Sequence, residues 1–148
     1  MFMHFAVKPI FAVLNFVMGN RTRNNFLKFM NCPNRYIKRE ELVRDEVDLD
    51  LLEKRYQADP ARKWMVEKLR FFRYQLKLLG SLGSPFAMIN YFRRGMGYDG
   101  YVEELAERKN MDSKELLAML DAVQGTASAY DTIEEWYRFV AEYSRKLE

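Results

Sequence analysis

One long segment in the middle of the chain has the apolar spacing of an α-helix, and this constrains the fold more than any other feature. Between Pro60 and Gly80, large apolar residues recur every three or four positions, at Met65, Leu69, Phe72, Leu76 and Leu79. Residues with this spacing lie along one face of a helix and are buried together. We therefore predict a long helix that opens at Asp59-Pro60 and ends near Gly80.

Signals for the starts of further helices are spread along the rest of the chain. Residue types that open or cap helices stand at Pro9, Thr22, Asp48, Ser84-Pro85, Asp99, Asp112 and Thr132, the last with Glu135 in a capping box. A brief helix is expected from about Arg39 to Arg44. No segment alternates apolar and polar residues for long enough to predict a strand. The sequence therefore predicts an all-α fold, a compact bundle of about eight or nine helices.

The chain length suits a single domain. Of its 148 residues, 49% are apolar and 30% are charged, which is the composition of a folded protein. The chain contains no internal repeat and no low-complexity linker, so residues 1–148 are predicted to form one helical domain. The turn at residues 80–84 is either a plain helix–helix connection or a minor hinge between two helical halves.

Few residues of the chain can carry chemistry. The single cysteine, Cys32, excludes an internal disulfide and multi-cysteine metal sites, and the single histidine, His4, argues against a Ser-His-Asp triad. The phosphate-binding pattern GxxxxGK[ST] does not occur. Neighbouring acids such as Glu103 and Glu104 fit a solvated helix face better than an acid–base pair. We therefore expect no catalysis and no cofactor in this chain.

The apolar N-terminal segment is too short and too interrupted to suggest a membrane span. Lys8 and Pro9 break it, and its longest clean run is Ile10 to Leu14, whereas a span needs about 20 apolar residues. It also lacks the basic start and small-residue cleavage site of a signal peptide. We predict a buried helix in a cytoplasmic protein without a membrane partner. The alternative is a helix at a membrane surface, although its polar face has few cations.

The charges are segregated along the chain, although the net charge is only +3. Residues 1–44 and 54–77 each have a balance of +6, and residues 99–148 have a balance of −6. Such segregation suits a protein that turns one face toward a polyanion or an acidic partner, although ordinary solvated helix faces produce it too. One candidate basic surface is a face of the long helix, with Arg70, Arg73 and Lys77.

A second candidate basic surface is the segment of residues 31–42, which we call the basic hairpin. It reads Asn-Cys-Pro-Asn-Arg-Tyr-Ile-Lys-Arg-Glu-Glu-Leu and joins two short predicted helices. Its turn carries Arg35, Lys38 and Arg39, with Tyr36 among them. Such a turn offers cations and backbone N–H groups to phosphates, which gives affinity without reading sequence. On spacing alone, an ordinary exposed loop explains the segment as well.

Three segments, in the same order, resemble the 2B subdomain of superfamily one DNA helicases of the UvrD, PcrA and Rep type. The basic hairpin is similar to the family's Asn-x-Pro-x-Arg-Tyr-Ile-x-Arg-Glu-x-Leu. Residues 4–14 are similar to His-x-x-x-Lys-Asp-Ile-x-Ala-Tyr-Leu, with Pro9 and Val13 in place of the family's Asp and Tyr. Residues 87–101 are similar to Ile-x-Tyr-Ile-Arg-x-Gly-Ile-Gly-Tyr-Asp. The resemblance covers nearly the whole chain.

This resemblance implies an accessory domain that holds duplex DNA ahead of the fork and regulates unwinding by rotating on the motor. Its partners would be duplex DNA and the motor subdomains of the parent helicase. ATP and Mg²⁺ would belong to that parent, while this chain, as an isolated domain or truncated product, should not hydrolyse ATP. The residues implied in DNA contact are Arg35, Tyr36, Lys38 and Arg39, with Arg21 and Arg23 as backbone neighbours.

One departure from the family lies in the turn itself, and one alternative function stays open. Better-known members carry Arg-Gly-Ile-Gly there, and Tyr36 and Lys38 stand at the two glycine positions, so side chains must contribute more of the contact.

The alternative function is a helical protein–protein interaction module, which would dock a partner through its acidic C-terminal half or an aromatic surface.

Overall fold

Helices make up most of the fold. A computed structural model describes residues 1–146, and its eight α-helices are α1 (Lys8–Val17), α2 (Arg23–Leu27), α3 (Leu49–Ala58), α4 (Met65–Ser81), α5 (Pro85–Asn90), α6 (Tyr98–Arg108), α7 (Ser113–Ala127) and α8 (Ile133–Lys146). A 3₁₀ turn spans Arg39–Glu41, and a π-helical turn at Tyr91–Gly95 continues α5. Within residues 1–146, β pairing is limited to one isolated bridge between Thr22 and Glu46. The predicted all-α fold is confirmed.

Helix α1 forms the centre of the core. Its Ile10, Val13 and Leu14 are fully buried, and the helix packs against α2, α4 and α5. The predicted buried N-terminal helix is therefore present. Because α1 contacts both α4 and α5, it bridges the elements on either side of the turn at residues 82–84. No helix within residues 1–146 combines the length and apolar character needed to cross a membrane.

Aromatic rings fill the space between α1, α2 and α4. Phe16, Phe26, Phe29 and Phe72 form a continuous cluster with ring centroids 5.3 to 6.2 Å apart. Burying such rings stabilises a core strongly, because each carries a large apolar area. Arg35 of the basic hairpin lies over one member of this cluster, with its guanidinium carbon 4.1 Å from the centre of the Phe72 ring.

Five predicted helix caps are confirmed by hydrogen bonds. A side-chain oxygen accepts a backbone N–H two or three residues further on at Thr22, Asp48, Ser84, Asp112 and Thr132, with distances of 2.9 to 3.2 Å. Each bond satisfies an N–H group that the helix itself leaves without a partner. The Thr132 hydroxyl also donates to the Glu135 carboxylate at 3.1 Å.

The long helix begins five residues later than predicted. The Asp59 carboxylate accepts the Ala61 N–H at 3.0 Å, and successive bonds from Arg62 N–H to Asp59 C=O and from Met65 N–H to Arg62 C=O form tight turns. These i to i+3 bonds delay the regular helix until Met65. The delay places Arg62 outside α4, where its side chain faces the basic hairpin.

Two other predicted helix boundaries are wrong. Asp99 is not the cap of α6, because Gly97 with a φ of +83° takes that position and Asp99 lies in the first turn. The Asp99 carboxylate instead accepts Arg93 Nε at 2.9 Å. The helix expected from Arg39 to Arg44 is reduced to the 3₁₀ turn at Arg39–Glu41.

A buried arginine joins the π-helical turn to the two helices that follow. The Arg93 side chain is 1% exposed and donates to Asp99, Asp121 (2.8 Å) and Gln124 (2.9 Å). A buried guanidinium is tolerated only when its donors have such partners. Arg93 lies in the third segment that resembles the helicases, and its role in this fold is to join that segment to α6 and α7.

Candidate nucleic-acid interface

The basic hairpin is closed by two of its own asparagine side chains. Asn31 Oδ1 accepts the Arg35 N–H at 3.0 Å, while Asn31 Nδ2 donates to the Ile37 C=O at 2.9 Å. Asn34 Oδ1 accepts the Tyr36 N–H at 2.9 Å. Short polar side chains that bond nearby backbone groups define turns in this way. The hairpin is therefore a specific turn with a fixed backbone.

Tyr36 has a backbone conformation that usually belongs to glycine. Its φ is +63°, in the left-handed region, which is unfavourable for a bulky L-residue. Tyr36 also stands where the resembled helicases carry the first glycine of their turn. Tyr36 thus combines a glycine-type backbone with a large ring, which is 52% exposed.

Arg35 points into the protein, in contrast to the other cations of the hairpin. Its Nη1 lies 3.1 to 3.3 Å from the carbonyl oxygens of Phe29, Met30 and Pro33, and its guanidinium carbon lies 4.1 Å from the centre of the Phe72 ring. Burial lowers the pKa of Arg35 to about 10, so the side chain stays charged at neutral pH. The predicted contact residue therefore stabilises the turn from within, and its donors are directed away from solvent.

Lys38 and Arg39 form the outward part of the hairpin. Both residues are exposed, but their backbones are fixed. The Lys38 N–H donates to the Glu41 carboxylate at 2.9 Å, and the Arg39 C=O accepts Arg23 Nη2 at 3.0 Å. Two neighbouring cations thus project from a rigid support.

The two predicted backbone neighbours have different positions. Arg23 donates to the C=O groups of Leu42 (2.9 Å) and Arg39 (3.0 Å), so its side chain positions the hairpin from α2. Arg21 is exposed, with its guanidinium carbon 5.4 Å from the Phe16 ring, and it lines a separate open cleft beside α3 and α4. The structure therefore joins Arg23, but not Arg21, to the hairpin.

Glu41 is the central anchor of the hairpin, and sequence reasoning missed it. Its carboxylate makes a two-pronged pair with Arg62 at 2.8 and 3.0 Å and accepts the Tyr56 hydroxyl at 2.7 Å. Burial acts to raise the pKa of Glu41, but the hydrogen bonds from Arg62, the Lys38 N–H and Tyr56 outweigh it, so the pKa is lowered. Arg62 lies 21 residues from Glu41, and no local spacing signals such a pair.

A pair of exposed aromatic side chains borders the hairpin. The rings of Tyr36 and Trp64, which we call the aromatic pair, have centroids 5.8 Å apart at an angle of 63°. Trp64 is 51% exposed, and its indole N–H donates to the Ala61 C=O at 3.1 Å, which fixes the ring. Lys68 Nζ lies 5.8 Å from the centre of the Tyr36 ring. The sequence signal for this pair was Trp64, an aromatic residue of the predicted long helix that does not belong to its apolar stripe.

The rival basic surface on the long helix is largely neutralised. Arg70 pairs with Glu53 (3.1 Å) and Glu67 (2.9 Å), and Arg73 also pairs with Glu53 (3.1 Å). Arg70, Arg73 and Glu53 border the open cleft of about 1220 Å³, whose walls carry both signs of charge. Lys77 is exposed at the same cleft. The hairpin is therefore the stronger candidate for contact with a polyanion.

The residues that could act as a nucleophile or as metal ligands do not form a site comparable to the hairpin. Burial raises the pKa of the half-buried Cys32 thiol, which keeps it protonated at neutral pH. Within residues 1–146, no cluster of three or more His, Cys, Asp or Glu side chains is arranged to hold a metal ion.

Comparisons with protein-family models, with curated proteins and with solved structures give no match for this chain.

Proposed function

We propose that this chain is a 2B-like accessory domain of a UvrD-type ATP-dependent DNA helicase, and that it contacts duplex DNA without reading sequence. The observation that carries the proposal is the basic hairpin: a turn with a fixed backbone that projects Lys38 and Arg39 outward. The left-handed backbone at Tyr36 supports it further, because it matches the glycine requirement of the resembled turn.

The hairpin suits phosphate contact because its cations are adjacent and their backbones are already ordered. Binding then costs less conformational entropy than it would for cations on a flexible loop. Two phosphate contacts alone give weak binding, in the range of about 10⁻⁴ to 10⁻⁶ M that is typical of non-specific complexes. The domain would therefore contribute register and orientation on the duplex, while the motor would supply most of the affinity.

In the parent helicase, ATP and Mg²⁺ would bind to the motor subdomains. This domain would hold the duplex ahead of the fork and regulate unwinding by its rotation on the motor. Its own residues would carry no catalytic step, and the hairpin would be the part that touches DNA.

The test is duplex binding by a charge variant and a matched control. Fluorescence anisotropy with a labelled blunt duplex at low salt should show binding by the unmutated chain, which we call the parent chain. The affinity should fall by at least about tenfold in Lys38→Ala/Arg39→Ala. The control, Lys114→Ala/Arg138→Ala, removes two exposed cations from α7 and α8 and should bind within about twofold of the parent. Equal losses in the two variants would mean that net charge, and not the hairpin, accounts for binding.

The second candidate function is a helical protein–protein interaction module. The observation in its favour is that Phe71 and Tyr74, three residues apart on α4, are each 61% exposed. Large exposed aromatic surfaces often mark interaction sites. If the parent chain binds no duplex even at low salt, the DNA proposal fails and this function is favoured.

A further inference from the structure

The aromatic pair has properties that phosphate contact does not use. Tyr36 and Trp64 each expose about half of their surface, at 52% and 51%, beside the cations of the hairpin. We propose that this pair stacks an unpaired nucleobase next to the phosphates held by Lys38 and Arg39. The inference rests on the proposed DNA contact and adds a site for a base to it.

Both rings are held in place before any ligand binds. The Trp64 indole N–H is bonded to the Ala61 C=O at 3.1 Å, and the Arg62 guanidinium carbon lies 5.3 Å from the ring centre. The Tyr36 backbone is fixed by the bond from its N–H to Asn34 Oδ1, and its ring packs edge to face against the Trp64 ring. Fixed rings lose little entropy when they stack, so exposed aromatic surface at rigid positions is well suited to binding a flat ligand.

The charges around the pair favour a nucleobase over an apolar protein surface. Lys68 Nζ lies 5.8 Å from the Tyr36 ring, and Lys38 and Arg39 are exposed on the same hairpin. An apolar partner would have to cover these cations without compensation, which is costly. A nucleotide supplies both parts, a flat base for the rings and a phosphate for the cations. Aromatic rings interleaved with cations are how proteins bind single strands without sequence preference.

Bases are stacked and paired inside a duplex, so the aromatic pair can act only where a base is free. The domain should therefore bind a duplex with a short single-stranded extension more tightly than a blunt duplex of the same sequence. One stacked base contributes about tenfold or more to affinity. The preference should depend on the rings, while binding to the blunt duplex should depend on the cations.

The experiment compares a blunt duplex with the same duplex carrying a short thymine extension, by fluorescence anisotropy on the full chain. We expect the extended duplex to bind about tenfold tighter to the parent, and Trp64→Ala to lose this difference while keeping its affinity for the blunt duplex. Trp64→Phe, which keeps a ring, should retain most of the difference. Because Trp136 is fully buried, quenching of tryptophan emission by the extended duplex should come from Trp64 and should vanish in Trp64→Phe.

The outcomes separate this inference from the proposed function. Binding of the blunt duplex with no gain from the extension, or an undiminished gain in Trp64→Ala, would overturn the stacking site and leave the hairpin contact standing. Failure of the parent to bind either duplex would overturn both. A circular dichroism spectrum of Trp64→Ala that matches the parent would show that the variant is folded, and quenching by the extended duplex tests the ring without relying on that variant.

Discussion

Replacing Arg35 with alanine should destabilise the fold far more than replacing Arg39, although both are arginines of one hairpin. The Arg35 guanidinium lies 3.1 to 3.3 Å from three carbonyl oxygens and 4.1 Å from the centre of the Phe72 ring. Hydrogen bonds to a charged group contribute about 1.5 to 3 kcal/mol, and a desolvated cation–π contact adds about 2 kcal/mol. The burial of the charge offsets part of this sum, and we expect a net loss of about 3 kcal/mol in the Arg35→Ala variant.

This loss is readily measured, and the control lies in the same turn. For a chain of this length, about 3 kcal/mol lowers Tm by roughly 6 to 12 °C. Urea denaturation followed by circular dichroism should give a clearly lower midpoint for Arg35→Ala. Arg39→Ala, which removes an exposed side chain, should lie within about 0.5 kcal/mol of the parent.

Two results would refute this reasoning about Arg35. The first is an unfolding free energy for Arg35→Ala within about 0.5 kcal/mol of that of Arg39→Ala. The second is a variant at Arg35 that keeps its stability and loses duplex binding, which would assign Arg35 to the DNA contact as the sequence predicted.

Three further predictions follow from the hairpin and from the buried arginine. A plot of log K against log salt for duplex binding should become shallower by about 1.8 in Lys38→Ala/Arg39→Ala, from about 0.9 for each lost phosphate contact. The pKa of Glu41 is lower in the folded chain than in the unfolded chain, so its stabilising effect is present above the ordinary glutamate pKa and is lost as pH falls through the lowered value. Glu41→Gln should therefore differ most from the parent at neutral pH, and urea denaturation at several pH values should show the difference shrinking in acid. Arg93→Ala should cost about 3 kcal/mol or more in urea denaturation because it breaks a buried charged network, whereas Arg94→Ala, at an exposed position, should be nearly neutral.

The fold was predictable because its main signals are local. Thr22, Asp48, Ser84, Asp112 and Thr132 each cap a helix through a bond to a residue two or three positions away, so the residue types alone indicate the start. The start of α4 was mispredicted because residue types alone do not distinguish the tight turns between Asp59 and Met65 from the first turns of a helix. The pair of Arg62 with Glu41 was missed because its two partners lie 21 residues apart in the chain.

The turn of the basic hairpin was predictable from the sequence, but the directions of its side chains were not. Arg35 and Arg39 look alike in the sequence, yet one lies over Phe72 and the other extends into solvent. This difference depends on Phe72 of α4, which lies against Arg35 but comes 37 residues later in the chain. Tyr36 and its ring partner Trp64 are 28 residues apart, so no local pattern signals that pair either.

The ties that hold the hairpin also determine how it would respond to a mechanical load. Arg23 reaches it from α2, Tyr56 from α3, and Arg62 from the turns before α4, through bonds of 2.7 to 3.0 Å. Because these ties come from three separate elements, a sideways pull on the turn stretches at least one of them at once. A torque applied by a bound duplex would therefore be transmitted directly to α2, α3 and the turns before α4, and the hairpin would turn together with them as one stiff unit.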